Sequence, residues 1–386
     1  MILFKNAEAV LENSVERLCV LTDGEKIIKI AENISENENT EVIDCEGLFL
    51  SPGFIDLHVH GGGGVSAMCC DSEKIVKMCR AHALHGTTSI LPTTLAAPIN
   101  QLLESAKHIK KAAEKCDTSN ILGVHFEGPY LSPEMRGAQS INNILSPIKD
   151  DPTPLLECPD LKMMGVAPEI DGAFTLGEKL KEKGIVASVA HTTADHDTAI
   201  AALDHGFSDV THIYNACTSC FKQGIFREAG VVEAALTDDR YTAQVIADLR
   251  HLPLGVLRLI YKCKGADKMY LITDGLEFSA SDLEEGELCV QENGVEVIFE
   301  DGVMKLADRS CLAGSAASMD ILMRNMYKSV GAPLWDAVKT ASSTPARVIG
   351  IDSRKGYIKE NYDADILLFD GDINIKRVMV MGKFVK

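Results

Sequence analysis

Histidines and carboxylates recur at the ends of apolar segments in the middle of the chain. They close or follow short runs such as FIDLHVH, HFEG and LITDG, and the set comprises His58, His60, Glu127, His191, His212, Asp248, His251 and Asp274. Buried imidazole and carboxylate groups need polar partners, and a cluster of both types is a common ligand set for a divalent metal ion. The first hypothesis is therefore a metal site.

His58 and His60 form an H-x-H pair directly before four glycines, Gly61 to Gly64. Alternate residues of a strand project to the same face, so both imidazoles can reach one ion. The glycines let the backbone approach a ligand closely. An isolated H-x-H in an apolar strand is more often a pair of core or surface histidines, so the position before the glycines is what favours a ligand role.

The other candidates have simple structural explanations when each is taken alone. Glu127 precedes Gly-Pro, where a turn or ion-pair residue is common, and Asp274 could cap a helix. His191 or His212 singly is more often a satisfied core histidine than a ligand. His125 shares the face of Glu127 and is more simply a core residue than a partner of a ligand. The coincidence of the main candidates at strand ends is what favours a metal site.

A metal ion on Glu127, His191 and His212 would create a hydrolytic site. Such an ion lowers the pKa of a bound water towards ~7 and polarises a carbonyl group. Asp274, placed opposite, would take the proton from that water and return it to the leaving amine. No G-x-S-x-G motif that fits a nucleophilic serine is found. These residues therefore predict a hydrolase without a serine or cysteine nucleophile.

The spacing of the elements that carry these residues favours a barrel. Apolar strands alternate with amphipathic helical stretches such as EKIVKMCRAHALH, which indicates a parallel sheet with crossover helices. Eight strands in about 220 residues is typical of a (β/α)8 TIM barrel, whose functional groups lie at the carboxyl ends of the strands. The predicted strands are 54–60, 87–94, 121–128, 163–169, 185–191, 209–215, 242–248 and 269–275.

The two ends of the chain have a different pattern, with short strands separated by breaks that contain Gly and Asn. We therefore predict an α/β protein with two domains. Residues 1–52 and 353–386 together would form a small β-sandwich domain, and residues 53–352 would form the barrel.

Composition argues against a nucleic-acid partner, because the formal net charge is −18 and aromatic residues make up 5% of the chain. A small anionic substrate stays compatible with a locally positive pocket. No run approaches the roughly 20 apolar residues that span a bilayer. The opening segment MILFKNAEAVLENS lacks the features of a secretion signal, so we expect a cytoplasmic protein without a membrane partner.

The twelve cysteines are expected to be mainly reduced thiols in that compartment. Cys217 and Cys220 have the C-x-x-C spacing of redox or zinc sites. A second C-x-x-C pair, which a structural zinc site would need, is missing from the sequence.

Distinctive segments are spread over almost the whole chain: SPGFIDLHVHGGGG, GVHFEGPYLSPEMRGA, THIYNAC, FREAG, VIADLRHLP, LITDG and GYIKENYDADILLFD. In type and order they resemble the N-acetylglucosamine-6-phosphate deacetylase family of the amidohydrolase superfamily. A single motif such as ITDG is common, but HFEGP, THIYNA and IADxxH together are specific.

The resemblance implies metal-dependent hydrolysis of the N-acetyl group of N-acetylglucosamine 6-phosphate, a step in amino sugar breakdown. It implies that Glu127, His191 and His212 hold the primary ion, and that Asp274 is first the general base and then the acid. Arg227 would reach the phosphate in a neighbouring subunit, which implies a homodimer. The other implied substrate contacts are Gln139, His251, and the backbone of Asn215 and Ala216.

Several positions depart from the family pattern around the acyl and sugar pocket. Gln139 stands where the family commonly has a histidine that polarises the substrate amide, and glutamine can donate a hydrogen bond but cannot carry a charge. Ala190, Thr192 and Cys217 replace the usual glycine, serine and methionine. These changes leave the metal chemistry in place and leave the preferred hexosamine open.

The number of ions also varies in the family, because some members lack the first H-x-H pair. This sequence keeps His58 and His60, so we predict a capacity for two ions, with Glu127 between them and the second site weaker. Zinc is the expected ion, with iron, manganese or cobalt as alternatives.

Other functions stay open on these residues. The substrate could be N-acetylgalactosamine 6-phosphate or an N-acyl amino acid, although Asn215, Arg227 and His251 favour a phosphate. A catalytically silent scaffold of the same fold would be expected to lack metal ligands, whereas this sequence has all of them.

Overall fold

Eight parallel strands form the centre of the protein in a computed structural model that describes residues 1–281, 283–290, 295–310 and 312–386. Hydrogen bonds join them in order, and bonds from the segment after the last strand to the first strand almost close the ring. The sequence prediction of a (β/α)8 barrel is confirmed. The strands are β1 (Phe54–Val59), β2 (Thr87–Thr94), β3 (Val124–Glu127), β4 (Leu161–Val166), β5 (Val186–Val189), β6 (Phe207–Val210), β7 (Thr242–Val245) and β8 (Met269–Leu271).

Helices cover the outside of this barrel, so most strand residues are buried on both faces. Helix α1 begins after Asp71, whose carboxylate accepts hydrogen bonds from the backbone N–H groups of Glu73 and Lys74. Its buried side chains recur every three or four residues and face the strands. The helices are α1 (Ser72–Ala83), α2 (Ile99–Ala113), α3 (Thr153–Leu156), α4 (Ala173–Glu182), α5 (His196–Asp204), α6 (Val231–Thr237), α7 (Leu254–Lys268, kinked at Gly265), α8 (Met319–Arg324), α9 (Leu334–Ala341) and α10 (Ser343–Val348), with a 3₁₀ turn at Ile141–Asn143 and a π-helical segment at Asn325–Val330.

Both ends of the chain contribute strands to one further sheet of eight strands. The strand Phe49–Pro52 pairs with Ile366–Phe369 in antiparallel register, Ser51 opposite Leu367. The N-terminal strands of this sheet lie in the short apolar segments where the sequence predicts strands. The strands of this sheet are Ile2–Val10, Val15–Asp23, Lys26–Ala31, Glu41–Asp44, Phe49–Pro52, Ile366–Phe369, Ile375–Val380 and Lys383–Phe384.

This end sheet curls so that one edge strand, Lys26–Ala31, approaches the segment before the C-terminal strands. The backbone N–H of Ile27, near one edge, donates to the carbonyl of Tyr362, just before the C-terminal strands, at 3.0 Å. Lys26 and Asp363 form an ion pair of 2.8 Å at the same place. A small apolar core, which includes Ile27 and Met379, lies inside the curled sheet.

Shorter strands extend the loops around the barrel mouth. Leu288–Val290, Glu296–Glu300 and Val303–Leu306 form a three-stranded sheet after β8, and Phe221–Gln223 pairs with Phe226–Glu228 in an exposed hairpin after β6. Two small pairings, Gly61–Gly62 with Val65–Ser66 and Asn120–Ile121 with β2, complete the described strands. A search of the described helices for one long and apolar enough to cross a membrane found none.

Candidate metal centre

Four imidazoles and one carboxylate converge at the carboxyl ends of four barrel strands. His58 lies in β1 and His60 just after it, Glu127 is the last residue of β3, and His191 and His212 each follow the end of a strand, β5 and β6, by two residues. All five side chains are at least nine-tenths buried. The barrel thus brings together every metal ligand that the sequence predicts, although their ligand roles stay predictions.

Glu127 lies between two pairs of histidines. Its Oε1 is 3.0 Å from the Nε2 atoms of both His191 and His212. Its Oε2 is 3.3 Å from Nε2 of His60, and Oε1 is 3.5 Å from Nε2 of His58. Each pair of histidines and Glu127 thus offers three ligand atoms within 4.8 Å of one another. The geometry provides two adjoining sets of candidate ligands that share one carboxylate.

Hydrogen bonds at the far side of three rings determine which nitrogen carries the proton. Nδ1 of His60 lies 3.2 Å from the carbonyl oxygen of Thr93, and Nδ1 of His191 lies 2.8 Å from that of Met135. Nδ1 of His212 lies 3.1 Å from the carbonyl oxygen of Asn215. A carbonyl oxygen only accepts, so each Nδ1 must be the N–H donor. In the neutral form of each ring, Nε2 then has the lone pair, which is directed at the centre of the cluster.

The Nε2 atoms of the paired rings lie close to each other. Close nitrogen atoms of this kind suit a cation placed between them. Nε2 of His58 and Nε2 of His60 are 3.1 Å apart, and those of His191 and His212 are 3.2 Å apart. Burial disfavours a charge on His60, but its hydrogen bonds to Asp274 and Glu127 outweigh this effect and raise the pKa of the ring to about 10. Burial lowers the pKa of the neighbouring His58 ring to about 4, so this ring is neutral at neutral pH. The imidazole and carboxylate donors that meet at this point fit a divalent ion.

Three of these strand-end residues have backbone angles that ordinary residues avoid. The φ angle is 43° at His191, 28° at His212 and 46° at Asp274. Left-handed angles of this kind are costly for residues with a Cβ and cluster at functional sites. They also explain why β5, β6 and β8 end two or three residues before these side chains, whereas the sequence pattern extends the predicted strands up to or past them.

Asp274 lies beside the histidine pair of β1, because the segment after β8 is hydrogen-bonded to β1. Its Oδ1 is 3.4 Å from Nε2 of His58 and 3.2 Å from Nε2 of His60. Burial alone would raise its pKa, but the neighbouring imidazoles outweigh burial and hold the pKa of Asp274 at about 2. The side chain is 17% exposed, against 3% for Glu127. Asp274 is therefore an ionised proton acceptor on the open side of the cluster.

Gln139 contacts the shared carboxylate. Its Nε2 donates to Oε2 of Glu127 at 2.7 Å, and its Oε1 accepts from the backbone N–H of Ala96 at 2.8 Å. The backbone bond fixes which end of the amide faces Glu127. The predicted substrate contact thus also orients a predicted metal ligand.

A second charged pair lies beyond the end of β7. Nδ1 of His251 is 2.6 Å from Oδ2 of Asp248, whose Oδ1 accepts from the backbone N–H groups of Arg250 and His251. Burial opposes a charge on His251, but the hydrogen bond and charge of Asp248 outweigh it and raise the pKa of the ring. The imidazole therefore favours its cationic form, which suits an anionic ligand.

The remaining predicted contacts lie after β6. Asn215 holds the His212 turn, because its Nδ2 donates to the carbonyl of His212 at 3.2 Å. Ala216 has a φ angle of 47°, and its carbonyl accepts from the N–H of Thr192. Arg227 lies on the exposed hairpin beside Ile225 and Phe226, which are 83% and 68% exposed.

Sequence reasoning missed the residues that hold the histidine rings from behind. Gln244, in β7, accepts at 2.8 Å from Nδ1 of His58, a ring 186 residues away in the chain. Gln244 is the single polar residue between alanine and valine in a buried stretch of that strand, and this interruption was the available signal. The carbonyl partners leave no signal, because every residue has a carbonyl group.

Comparison with known proteins shows similarity over nearly the whole chain. The Amidohydrolase family profile matches residues 49–385. An N-acetylgalactosamine-6-phosphate deacetylase of Escherichia coli O157:H7 is 31% identical over 350 residues, 89% of each chain. An N-acetylglucosamine-6-phosphate deacetylase of Bacillus subtilis (strain 168) is 31% identical over 394 aligned positions, covering 99% of this chain and 96% of the relative. The crystal structure of N-acetylglucosamine-6-phosphate deacetylase from Pasteurella multocida superposes with a TM-score of 0.91 at 30% identity, covering 99% of each chain.

Proposed function

The chain belongs to the amidohydrolase family, and we propose from this premise that it hydrolyses N-acetylglucosamine 6-phosphate to glucosamine 6-phosphate and acetate. The observation that carries the proposal is the convergence of Glu127 and four histidine Nε2 atoms on one point, with the Asp274 carboxylate on its open side. This arrangement is suited to the addition of water to an amide, and the relatives described above are named as deacetylases of N-acetylhexosamine 6-phosphates.

Glu127, His191 and His212 would hold the primary ion, and His58 and His60 would hold a second, weaker one with Glu127 between them. When bound, the ions supply Lewis acidity that activates water and polarises the acetyl carbonyl. Zinc is the proposed ion, and iron, manganese or cobalt also suit imidazole and carboxylate ligands. The chain's own contribution is to occupy Nδ1 of His60, His191 and His212 with backbone carbonyls, so that each Nε2 is directed inward and can bind an ion once it has lost its proton.

Asp274 would carry the proton through the reaction. Its carboxylate accepts a proton from the attacking water while the oxygen bonds to the acetyl carbon. The same carboxyl then donates that proton to the sugar nitrogen as the C–N bond breaks, so water is consumed, and acetate and the free amine are released. Gln139 would hold Glu127 and lie beside the acetyl group during these steps.

Phosphate recognition is proposed for the residues beyond β6 and β7. His251 would offer a cationic ring, and the backbone at Asn215 and Ala216 would offer N–H groups. Such a local site is compatible with the net charge of −18 of the whole chain. Arg227 would complete the site of a second subunit. In support, the hairpin that carries it exposes Ile225 and Phe226, apolar side chains that a homodimer contact would cover.

N-acetylgalactosamine 6-phosphate is the second candidate substrate, because the relative from Escherichia coli O157:H7 is named for it and is 31% identical. An N-acyl amino acid is less compatible with the proposed phosphate contacts. The converging ligands argue against a catalytically silent member of the fold. We also propose a cytoplasmic enzyme with the domain division 1–52 plus 353–386 and 53–352.

Acetate release from four substrates tests the proposal: N-acetylglucosamine 6-phosphate, its galactosamine isomer and the two unphosphorylated sugars. The glucosamine phosphate is expected to have the highest kcat/KM, and loss of the phosphate should lower that ratio by at least about tenfold, since a charge-assisted contact contributes about 1.5–3 kcal/mol. Equal rates with and without the phosphate would overturn the phosphate assignment. Faster turnover of the galactosamine isomer would make N-acetylgalactosamine 6-phosphate the preferred substrate in place of N-acetylglucosamine 6-phosphate.

A further inference from the structure

His58 differs from the other three histidines of the cluster in what holds its far nitrogen. The rings of His60, His191 and His212 donate to backbone carbonyls, whereas Nδ1 of His58 faces the side-chain amide of Gln244 at 2.8 Å. A backbone carbonyl can only accept, but a side-chain amide can turn over and present either its oxygen or its nitrogen. The proton position on His58 therefore depends on the orientation of Gln244.

A buried carboxylate fixes that orientation. Nε2 of Gln244 donates to Oδ2 of Asp209 at 2.8 Å, which leaves Oε1 directed at His58. Hydroxyl groups converge on the same carboxylate, from Ser188 at 2.8 Å, Thr242 at 2.6 Å and Tyr270 at 3.1 Å. With these donors around it, Asp209 acts as an acceptor, and an acceptor selects the NH₂ end of Gln244.

The opposite orientation would disable the ring as a ligand. An NH₂ group facing Nδ1 requires a lone pair on Nδ1, so the proton would move to Nε2 of His58. That proton would lie at the point where His60 and Glu127 converge, 3.1 Å and 3.5 Å from Nε2. A protonated Nε2 cannot bind a metal ion, and one of the two adjoining sites would lose a ligand.

We infer that Gln244, oriented by Asp209, is a positioning residue that keeps Nε2 of His58 available to the second ion. This relay crosses the barrel interior from β6 through β7 to β1, and His58, Gln244 and Asp209 have no exposed surface. The inference rests on the two-ion site of the proposed function. The primary ion, on Glu127, His191 and His212, lies outside the relay, so the two ions should respond differently to its loss.

The test compares four variants by stepwise metal titration of the full-length protein, with zinc content measured by mass spectrometry and unfolding followed by Tm. Gln244→Leu removes the acceptor. Gln244→Glu restores it, because a proton shared between the introduced carboxyl and Asp209 leaves one oxygen free to accept from His58. Asp209→Asn allows the amide of Gln244 to turn over. Thr242→Val is the matched control, since it removes another donor to Asp209, the hydroxyl at 2.6 Å from Oδ1, and nearly keeps the shape of the side chain.

Gln244→Leu should weaken the second ion by about 10–100-fold and leave the first unchanged, as measured losses of residues behind metal ligands indicate. Asp209→Asn should act in the same direction, and it carries the test if Gln244→Leu does not fold. Gln244→Glu and Thr242→Val should bind both ions as the unmodified protein does. Equal weakening of both ions in Gln244→Leu, or weakening of the second ion in Thr242→Val, would overturn the inference in favour of general damage to the barrel.

Nitrogen-15 NMR of labelled histidines separates failure of this inference from failure of the two-ion proposal. In the metal-stripped protein, the ring of His58 should carry its proton on Nδ1, and in Gln244→Leu this preference should be lost. A protein that binds one ion but has this tautomer would refute the two-ion proposal and support the role of Gln244. A proton on Nε2 of His58 in the unmodified protein would overturn the role of Gln244, whatever the number of ions.

Discussion

Replacing Asp274 with asparagine is expected to lower kcat by about 10²–10⁴-fold, because the amide cannot carry the proton between water and the leaving nitrogen. Each factor of ten corresponds to 1.36 kcal/mol of activation free energy, so the loss amounts to about 3–5 kcal/mol. Asparagine has nearly the same shape as aspartate. Residue 274 is held by two backbone hydrogen bonds: its N–H donates to the carbonyl of His58, and its carbonyl accepts from the N–H of Ser315. Neither bond involves the side chain. The loss should therefore come from chemistry rather than from misfolding.

The assay measures acetate release over a range of N-acetylglucosamine 6-phosphate concentrations, with metal content determined on the same samples. The primary ion should be retained, since Asp274 is not one of Glu127, His191 and His212. The second ion is expected to weaken, because the variant removes a negative charge 3.2 Å and 3.4 Å from the rings of His60 and His58. Activity is therefore compared at zinc concentrations that saturate both proteins.

Asp248→Asn is the matched control, because it makes the same change at another strand-end carboxylate. That residue pairs with His251 rather than with the metal cluster. It should raise KM for the phosphorylated substrate and change kcat little. Undiminished kcat in a metal-loaded Asp274→Asn protein would refute the reasoning, and so would an equal loss of kcat in both variants.

The remaining predictions concern the substrate contacts. Mixing Arg227→Ala subunits with Asp274→Asn subunits should restore activity in the hybrid dimers. One of the two sites in such a dimer has both an intact Asp274 and an arginine from the other subunit. If activity does not recover after subunit exchange, the proposal of a shared site is wrong. KM for the phosphorylated substrate should rise as the pH increases through the raised pKa of His251, because the cationic ring is present below that pKa and lost above it. In Asp248→Asn the same rise should occur at lower pH, and an unchanged KM profile would contradict this role of the ring. Gln139→Ala removes the 2.7 Å bond to Glu127 and should weaken zinc binding by about tenfold in a metal titration, whereas a change in KM alone would restrict that residue to substrate contact.

The convergence of the candidate ligands could be predicted from the sequence because each of them ends or follows an apolar segment. Glu127 ends an apolar strand, and His58 and His60 alternate along another, so strand periodicity alone predicts which face they share. The rule that functional groups lie at the carboxyl ends of barrel strands then places them near each other. Neither step requires knowledge of a distant contact.

The supporting residues could not be predicted in the same way. Gln244 and Asp209 act through side chains that meet only after the barrel has closed, and their spacing in the sequence has no relation to His58. The sequence pattern also predicts ends for β5 and β6 that lie beyond the last residues of these strands in the structure. The left-handed backbone at His191 and His212 breaks the pairing there, and no residue-type preference for histidine predicts it.

The pairing of Phe49–Pro52 with Ile366–Phe369 also has a consequence for synthesis on the ribosome. At about 5–20 residues per second, the strand that covers this edge is made roughly 15–60 s after the edge itself. During that interval the barrel is being assembled while the N-terminal strands have an uncovered edge, which can pair with other chains. A nascent chain released before residue 366 should therefore aggregate through its first 52 residues, and chaperone binding should concentrate on that segment until the last strands are made.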